Sequence, residues 1–150
     1  MDAAPILLNR ILVVAFGACL LAQALKVFWA AVYHRKVDPK LLTTTGGMPS
    51  SHSALVAALA VAIGETQGWQ GAEFAIAAVV AIIVMYDAAG VRQAAGRHAQ
   101  ILNQITYPLG QASDQGGTPL PEALGHTPLE VVVGGIVGAG VSWLACPWLV

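Results

Sequence analysis

The stretch from about Ile6 to Tyr33 is broken only by Asn9, Arg10, Gln23 and Lys26. An α-helix needs about 20 mostly apolar residues to cross a bilayer, so this run ties the chain to a membrane more firmly than any other feature. Three more apolar runs follow. One extends from about Ser53 to Ile63, is short, and ends in the stretch Gly64 to Gly71. The next, from about Ala72 to Met85, continues as the helix-prone but polar "YDAAGVRQAAGRHAQILN", and the last covers about Leu129 to Leu149. Only 10% of the 150 residues are charged, against roughly 25% in a soluble domain, too few to coat a water-facing surface. The expectation is an all-α fold, a polytopic membrane helix bundle of about four transmembrane helices, with residues 1–150 forming a single integral membrane domain.

Smaller features agree. The chain opens with Asp2, lacks a basic n-region and has too long a first apolar run for a signal peptide, so none is expected. Cys19 and Cys146 lie inside apolar runs and read as small buried hydrophobes rather than a disulfide or metal pair. A net charge of −1 gives no argument for a nucleic-acid partner. "YPLGQASDQGGTPLPEALGHTP", rich in Gly and Pro, reads as a loop between the third and fourth runs. In "GGIVGAG", Gly134 and Gly138 form a G-x-x-x-G pair, which predicts either close packing within one protomer or a homodimer.

Four spans place loop 1 (about 34–50) and loop 3 (about 86–127) on one side. That side receives Arg35, Lys36, Lys40, Arg92 and Arg97, with Lys26 approaching it from within the first span, so six of the seven Lys and Arg cluster there. The positive-inside rule makes that face cytoplasmic, in an inner or plasma membrane. Arg35 and Lys36 read as topology determinants, and His34 and His98 as interfacial decoration.

The same face gathers "GGMPSSHS" (46–53), "YDAAGVR" (86–92) and "GHTPLE" (125–130). In the first, Ser50 or Ser51 is a natural helix N-cap after Pro49, and Gly47 permits a tight approach. Free N–H groups and a partial positive charge at a helix N-terminus suit a phosphate, and His52 beside them can move a proton near neutral pH. In "GHTPLE", Thr127 as N-cap, Pro128 at the first helical position and Glu130 make a capping box. Glu130 is also four residues beyond His126 and so placed to fix its tautomer. Capping and orienting compete for one carboxylate. Arg92 offers a bidentate hold on phosphate. Lys26 is either functional, as intramembrane lysines generally are, or snorkels to the interface. Asp87 pairs with Arg92 or with a divalent ion.

"GGMPSSHSALVAALA", "AIIVMYDAAGVRQAAGRHAQILNQ" and "LGHTPLEVVVGGIVG" closely resemble the divergent branch of the type 2 phosphatidic acid phosphatase superfamily, proteins related to acid phosphatases and vanadium-dependent haloperoxidases. The superfamily pattern is K-x6-R-P, then P-S-G-H, then S-R-x5-H-x3-D, and its chemistry is metal-independent phosphomonoester hydrolysis through a phosphohistidine. By that resemblance Pro49, Ser50, Ser51 and His52 stand at P-S-G-H, with Ser51 for Gly, and His52 is implied as the general acid. His126 and Glu130 match H-x3-D, implying His126 as the nucleophile and Glu130 as its orienter. Three features depart from the pattern: "TPLPEAL" replaces S-R-x5 before His126, Lys26 and Arg35 give only K-x8-R without a following Pro, and about four spans stand where six are usual.

The resulting expectation is a membrane phosphatase acting on a lipid phosphate monoester such as phosphatidate, phosphatidylglycerophosphate or an isoprenoid phosphate. Its catalytic groups are His126, His52 and Glu130. Lys26, Ser50, Ser51 and Arg92 hold the phosphate, with Gly47, Asp87 and Thr127 in support, and no metal or other cofactor is expected. Two rivals remain: a phosphatase or phosphotransferase dependent on a divalent ion such as Mg²⁺, with Asp87 and Glu130 as ligands, and a non-catalytic anion-binding membrane protein.

Overall fold

The computed structural model describes residues 9–34, 47–110, 119–122 and 124–149. Within them the chain forms helices α1 (Arg10–His34), α2 (Ser51–Gln67), α3 (Ala72–Ala89), α4 (Val91–Gly110) and α5 (Pro128–Leu149), and no strand. The apolar runs thus become helices, as their length requires. Three helical segments, Arg10–Val32, Ala72–Thr106 and Pro128–Leu149, are long and apolar enough to cross a membrane. Arg35, Lys36 and Lys40 lie outside the described residues.

Helix α2, at 17 residues, is at the short end of spanning length, and its position explains why. It packs most extensively on α5, then α1, then α3, so it is sheathed by protein and carries small rather than oily side chains. Ser51, Ser53, Ala54, Val56, Ala58, Ala60, Ala62 and Gly64 are buried, whereas Phe16, Leu20, Phe28, Ile76, Ile83, Ile136 and Leu144 on the surrounding helices are exposed. Large apolar groups face outward and alanines face inward, the arrangement expected when lipid is the solvent and helices associate by close van der Waals packing. The helix also outruns the apolar stretch that predicted it. It passes through Gly64 to Gln67 because Trp69 folds back over Gly64, within 2.6 Å of where a Cβ would stand.

The closest approach in the bundle is between α2 and α5. A Cβ on Gly134 would collide with the Ser50 carbonyl, and one on Gly138 with that of Ala54. The G-x-x-x-G pair is therefore used inside the protomer and carries no argument for a homodimer. On α1 the buried positions Ala15, Ala18, Ala22, Lys26 and Ala30 form one inward stripe at helical spacing. Lys26 thus lies on the protein-facing side of its helix and is 3% exposed, which sets aside snorkelling into lipid headgroups.

Helix α3 breaks at Gly90, and α4 follows after that single residue. α4 runs to Gly110, four residues into the segment that the Gly/Pro content marks as a loop. Residues 119–122 and 124–126 return along α4: Asn103 Nδ2 donates to the Leu120 carbonyl at 2.9 Å, and the Leu120 amide donates to Asn103 Oδ1 at 2.9 Å. At Gly96 a Cβ would crowd the Glu122 carbonyl at 2.7 Å. This return path delivers His126 to the α3–α4 junction.

Candidate functional site

At the end of α2 that meets the junction, Pro49 precedes Ser50, the Met48–Pro49 bond is cis, and Ser50 is the N-cap. Its Oγ accepts from the Ser53 amide at 3.3 Å and from the Ser53 hydroxyl at 3.0 Å. Ser50 is fully buried, so its hydroxyl serves the helix start. Its amide donates to the Glu130 carbonyl at 3.1 Å, which ties the start of α2 to that of α5. Ser51 is buried beside it, and His52, next in the chain, is exposed toward the junction. Gly47, at φ +95°, lies against the aliphatic part of Lys26, where a Cβ would meet Cδ at 3.4 Å.

At the start of α5 the capping box forms as its spacing predicts. The Glu130 amide donates to Thr127 Oγ1 at 3.3 Å, and the Thr127 amide donates to Glu130 Oε2 at 3.2 Å. The same Oε2 stands 3.0 Å from His126 Nδ1. The competition expected between capping and orienting does not arise. His126 immediately precedes the N-cap, so its ring reaches the oxygen that the box has already brought in front of the helix. An ionised carboxylate only accepts, so opposite one the neutral ring takes the tautomer protonated at Nδ1, with its lone pair on Nε2.

His126 is 3% exposed and is held from behind as well as from the side. Its amide donates to the Ala88 carbonyl at 2.9 Å, one of the last carbonyls of α3 and so without an intrahelical partner. Its carbonyl accepts from Gln93 Nε2 at 3.5 Å, and Gln93 Oε1 accepts from Arg97 at 3.1 Å. Gly125, at φ +84°, brings the chain so near α4 that a Cβ would collide with the Gln93 amide. Gln93 and Ala88 were not singled out in the sequence. The only signal was the four-residue spacing of Gln93 and Arg97 on a helix.

His52, Val84, Asp87, Ala88, Arg92 and His126 line one cleft. Arg92 Nε donates to Asp87 Oδ2 at 2.6 Å. Only the Nε edge is used, and among the described residues neither Nη group has a partner. The pair is about half exposed and contributes little stability, but it fixes the direction of the guanidinium. Asp87 is thus paired with Arg92 and Glu130 with His126 and Thr127. Among the described residues no three His, Cys, Asp or Glu side chains are grouped to hold a metal ion.

Lys26 is not part of the cleft lining but lies behind it, within electrostatic reach of Glu130 and His52. A buried ammonium needs such a partner. His52, partly withdrawn from water at the cleft wall and faced by Arg92, His126 and Lys26, is held below the ordinary imidazole value of about 6.5. Ser50 and Ser51 are close in sequence but sit in the helix packing rather than in the cleft wall. Cys19 and Cys146 are free and half-buried, and the Cys146 thiol donates to Glu65 at 3.3 Å, remote from this cleft.

An all-helical bundle with an alanine-lined interior, an oily exterior and three helical segments able to cross a bilayer is an integral membrane protein, here with a histidine–carboxylate pair at one cleft. The sequence matches the Divergent PAP2 family over residues 7–141, and the chain belongs to that family. It is also 38% identical over 144 residues to "Uncharacterized membrane protein YuiD" of Bacillus subtilis (strain 168), covering 89% of this chain and 91% of the relative. No solved structure matches it.

Proposed function

We propose that the chain is a membrane phosphatase that hydrolyses a lipid phosphate monoester through a phosphohistidine on His126. The observation that carries this reading is the His126 ring, buried, held at Nδ1 by Glu130 and facing a cleft shared with His52 and Arg92. Family membership supports phosphatase-like chemistry at this site. The Arg92 Nη groups draw the phosphate into the cleft, and Lys26 contributes positive potential from behind. Nε2 of His126 attacks phosphorus as the bond to the lipid oxygen breaks, and His52 donates its proton to the leaving alkoxide. Glu130 stabilises the positive charge that the histidine gains. Neutral His52 then takes a proton from water, whose oxygen attacks the phosphohistidine, releasing inorganic phosphate and regenerating both histidines.

A site at the helix ends suits a substrate whose phosphate lies at headgroup level while its tail remains in the bilayer, and phosphatidate, phosphatidylglycerophosphate and isoprenoid phosphates all meet that description. The positive-inside rule, applied to Arg35, Lys36, Lys40, Arg92 and Arg97 in the sequence, supports a cytoplasmic site. A screen of phosphate release over these lipids, with and without chelator, tests the reading. Release that vanishes with EDTA and returns with Mg²⁺ overturns the metal-free scheme, and phosphate binding without turnover overturns the enzyme.

Two outcomes follow from the site. Glu130→Gln keeps a carbonyl oxygen for the Thr127 amide but removes the charge that holds the His126 tautomer. Its turnover is expected to fall about 10²–10⁴-fold while the thermal midpoint stays close to wild type. For His52 the direction of the shift sets the pH dependence. A lowered value means that the acid form of the free enzyme is lost as pH rises through a point below about 6.5, so kcat/KM is expected to decline on the alkaline side of that point. The His52→Gln protein, which has no proton to lose there, should lack the limb that belongs to the enzyme and keep only that of the substrate.

A further inference from the structure

Helix α4 is built the wrong way round for a helix in water. At 100° per residue, Val91, Ala94, Ala95, His98, Ile101, Leu102 and Ile105 share one face, and all seven are exposed. The opposite face carries Gln93, Gly96 and Asn103, and these are the residues that pack, against His126, the Glu122 carbonyl and Leu120 respectively. Among the described residues, the return segment thus covers the polar side of α4 and leaves the apolar side bare, and of the described helices α4 packs only on α3. A contiguous apolar stripe of this kind marks an interaction surface.

We propose that this face is an in-plane membrane anchor, occupied by the lipid of the leaflet at which α3 ends. Three observations name that occupant. α4 begins one residue after the 18-residue α3, which supplies the strongly apolar part of the segment Ala72–Thr106, so it starts at the boundary of the membrane core. At Gly90 (φ −109°, ψ −77°) the backbone departs from ideal helical angles by more than the ordinary scatter, which bends the chain between α3 and α4. The helix has no Asp or Glu and carries Arg92, Arg97 and His98, a charge balance suited to anionic headgroups. Arg97, on the border of the apolar face, reaches the headgroup level while Ile101, Leu102 and Ile105 enter the acyl boundary. The anchor stands independently of any phosphatase activity. Its consequence is to fix the depth of Arg92 and Gln93, and through Gln93 that of His126.

The test is a cysteine series for spin labelling at Gln100, Ile101, Leu102, Gln104 and Ile105, in full-length protein with Cys19 and Cys146 replaced by alanine. The protein is reconstituted in phosphatidylglycerol–phosphatidylethanolamine vesicles, and each label is read by collision with oxygen and with a water-soluble nickel chelate. Labels at 101, 102 and 105 are expected about 5–10 Å below the headgroup boundary, and those at 100 and 104 in water. The proposal is overturned if all five labels collide freely with the nickel chelate. It is equally overturned if 101, 102 and 105 are shielded from both reagents and show dipolar broadening, which would mean that a second copy covers the face. All five positions are exposed, so labelling leaves the packing intact, and a monodisperse elution profile verifies this for each variant.

Discussion

His126→Ala protein, purified and reconstituted beside wild type, is expected to release phosphate from lipid phosphates at least about 10³-fold more slowly, with losses up to about 10⁶ when a nucleophile is removed outright. The size of the effect follows from the geometry. Nδ1 is engaged by Glu130 at 3.0 Å, which leaves Nε2 as the available attacking atom, and no other histidine in the described structure has a carboxylate partner. The fold should survive. The histidine precedes the N-cap of α5, and its backbone bonds to Ala88 and Gln93 do not depend on the imidazole. A thermal midpoint within a few degrees of wild type, together with lost turnover, separates chemistry from unfolding. Wild-type turnover in the alanine variant would remove His126 from the mechanism.

The second large effect concerns the bundle rather than the site. Gly138→Val should destabilise the protein by about 1–3 kcal/mol or more, because the new side chain must occupy space held by the Ala54 backbone. A backbone atom cannot rotate aside as a flexible side chain can, so α5 has to lift away from α2 over several residues. Ser50, Glu130 and His126 are coupled across this contact, so activity should fall with stability. Gly17→Val is the matched control: nothing lies within 4 Å of its Cβ position, and its effect should stay within about 0.5 kcal/mol. Thermal unfolding in detergent, followed by loss of monodisperse protein, reads both.

The helices were legible because a membrane chain announces them twice, through the length of its apolar runs and the scarcity of its charges. The capping box was legible for a similar reason: Thr127, Pro128 and Glu130 are read from spacing alone, and the bonds formed at that spacing. What the sequence left open depends on which face a residue presents. Lys26 had two readings until its helix was seen to bury the stripe from Ala15 to Ala30. Asp87 also had two until Arg92 was found at 2.6 Å. Gln93 was invisible, since its role depends on a return segment that arrives from 33 positions further along the chain. The end of α2 is legible only to within the stretch Gly64 to Gly71, because a glycine in an apolar run looks like a stop unless the tryptophan lying over it is known.

One oxygen, Glu130 Oε2, both closes the first turn of α5 and holds the His126 ring. First turns of helices fray on their own, at a free-energy cost far below that of global unfolding. Each fraying event at Thr127 withdraws the carboxylate from the imidazole and releases its tautomer. The population of the closed turn therefore sets an upper bound on the fraction of molecules with a correctly aimed histidine, and Pro128, which preorganises that turn, raises the bound without touching the ring.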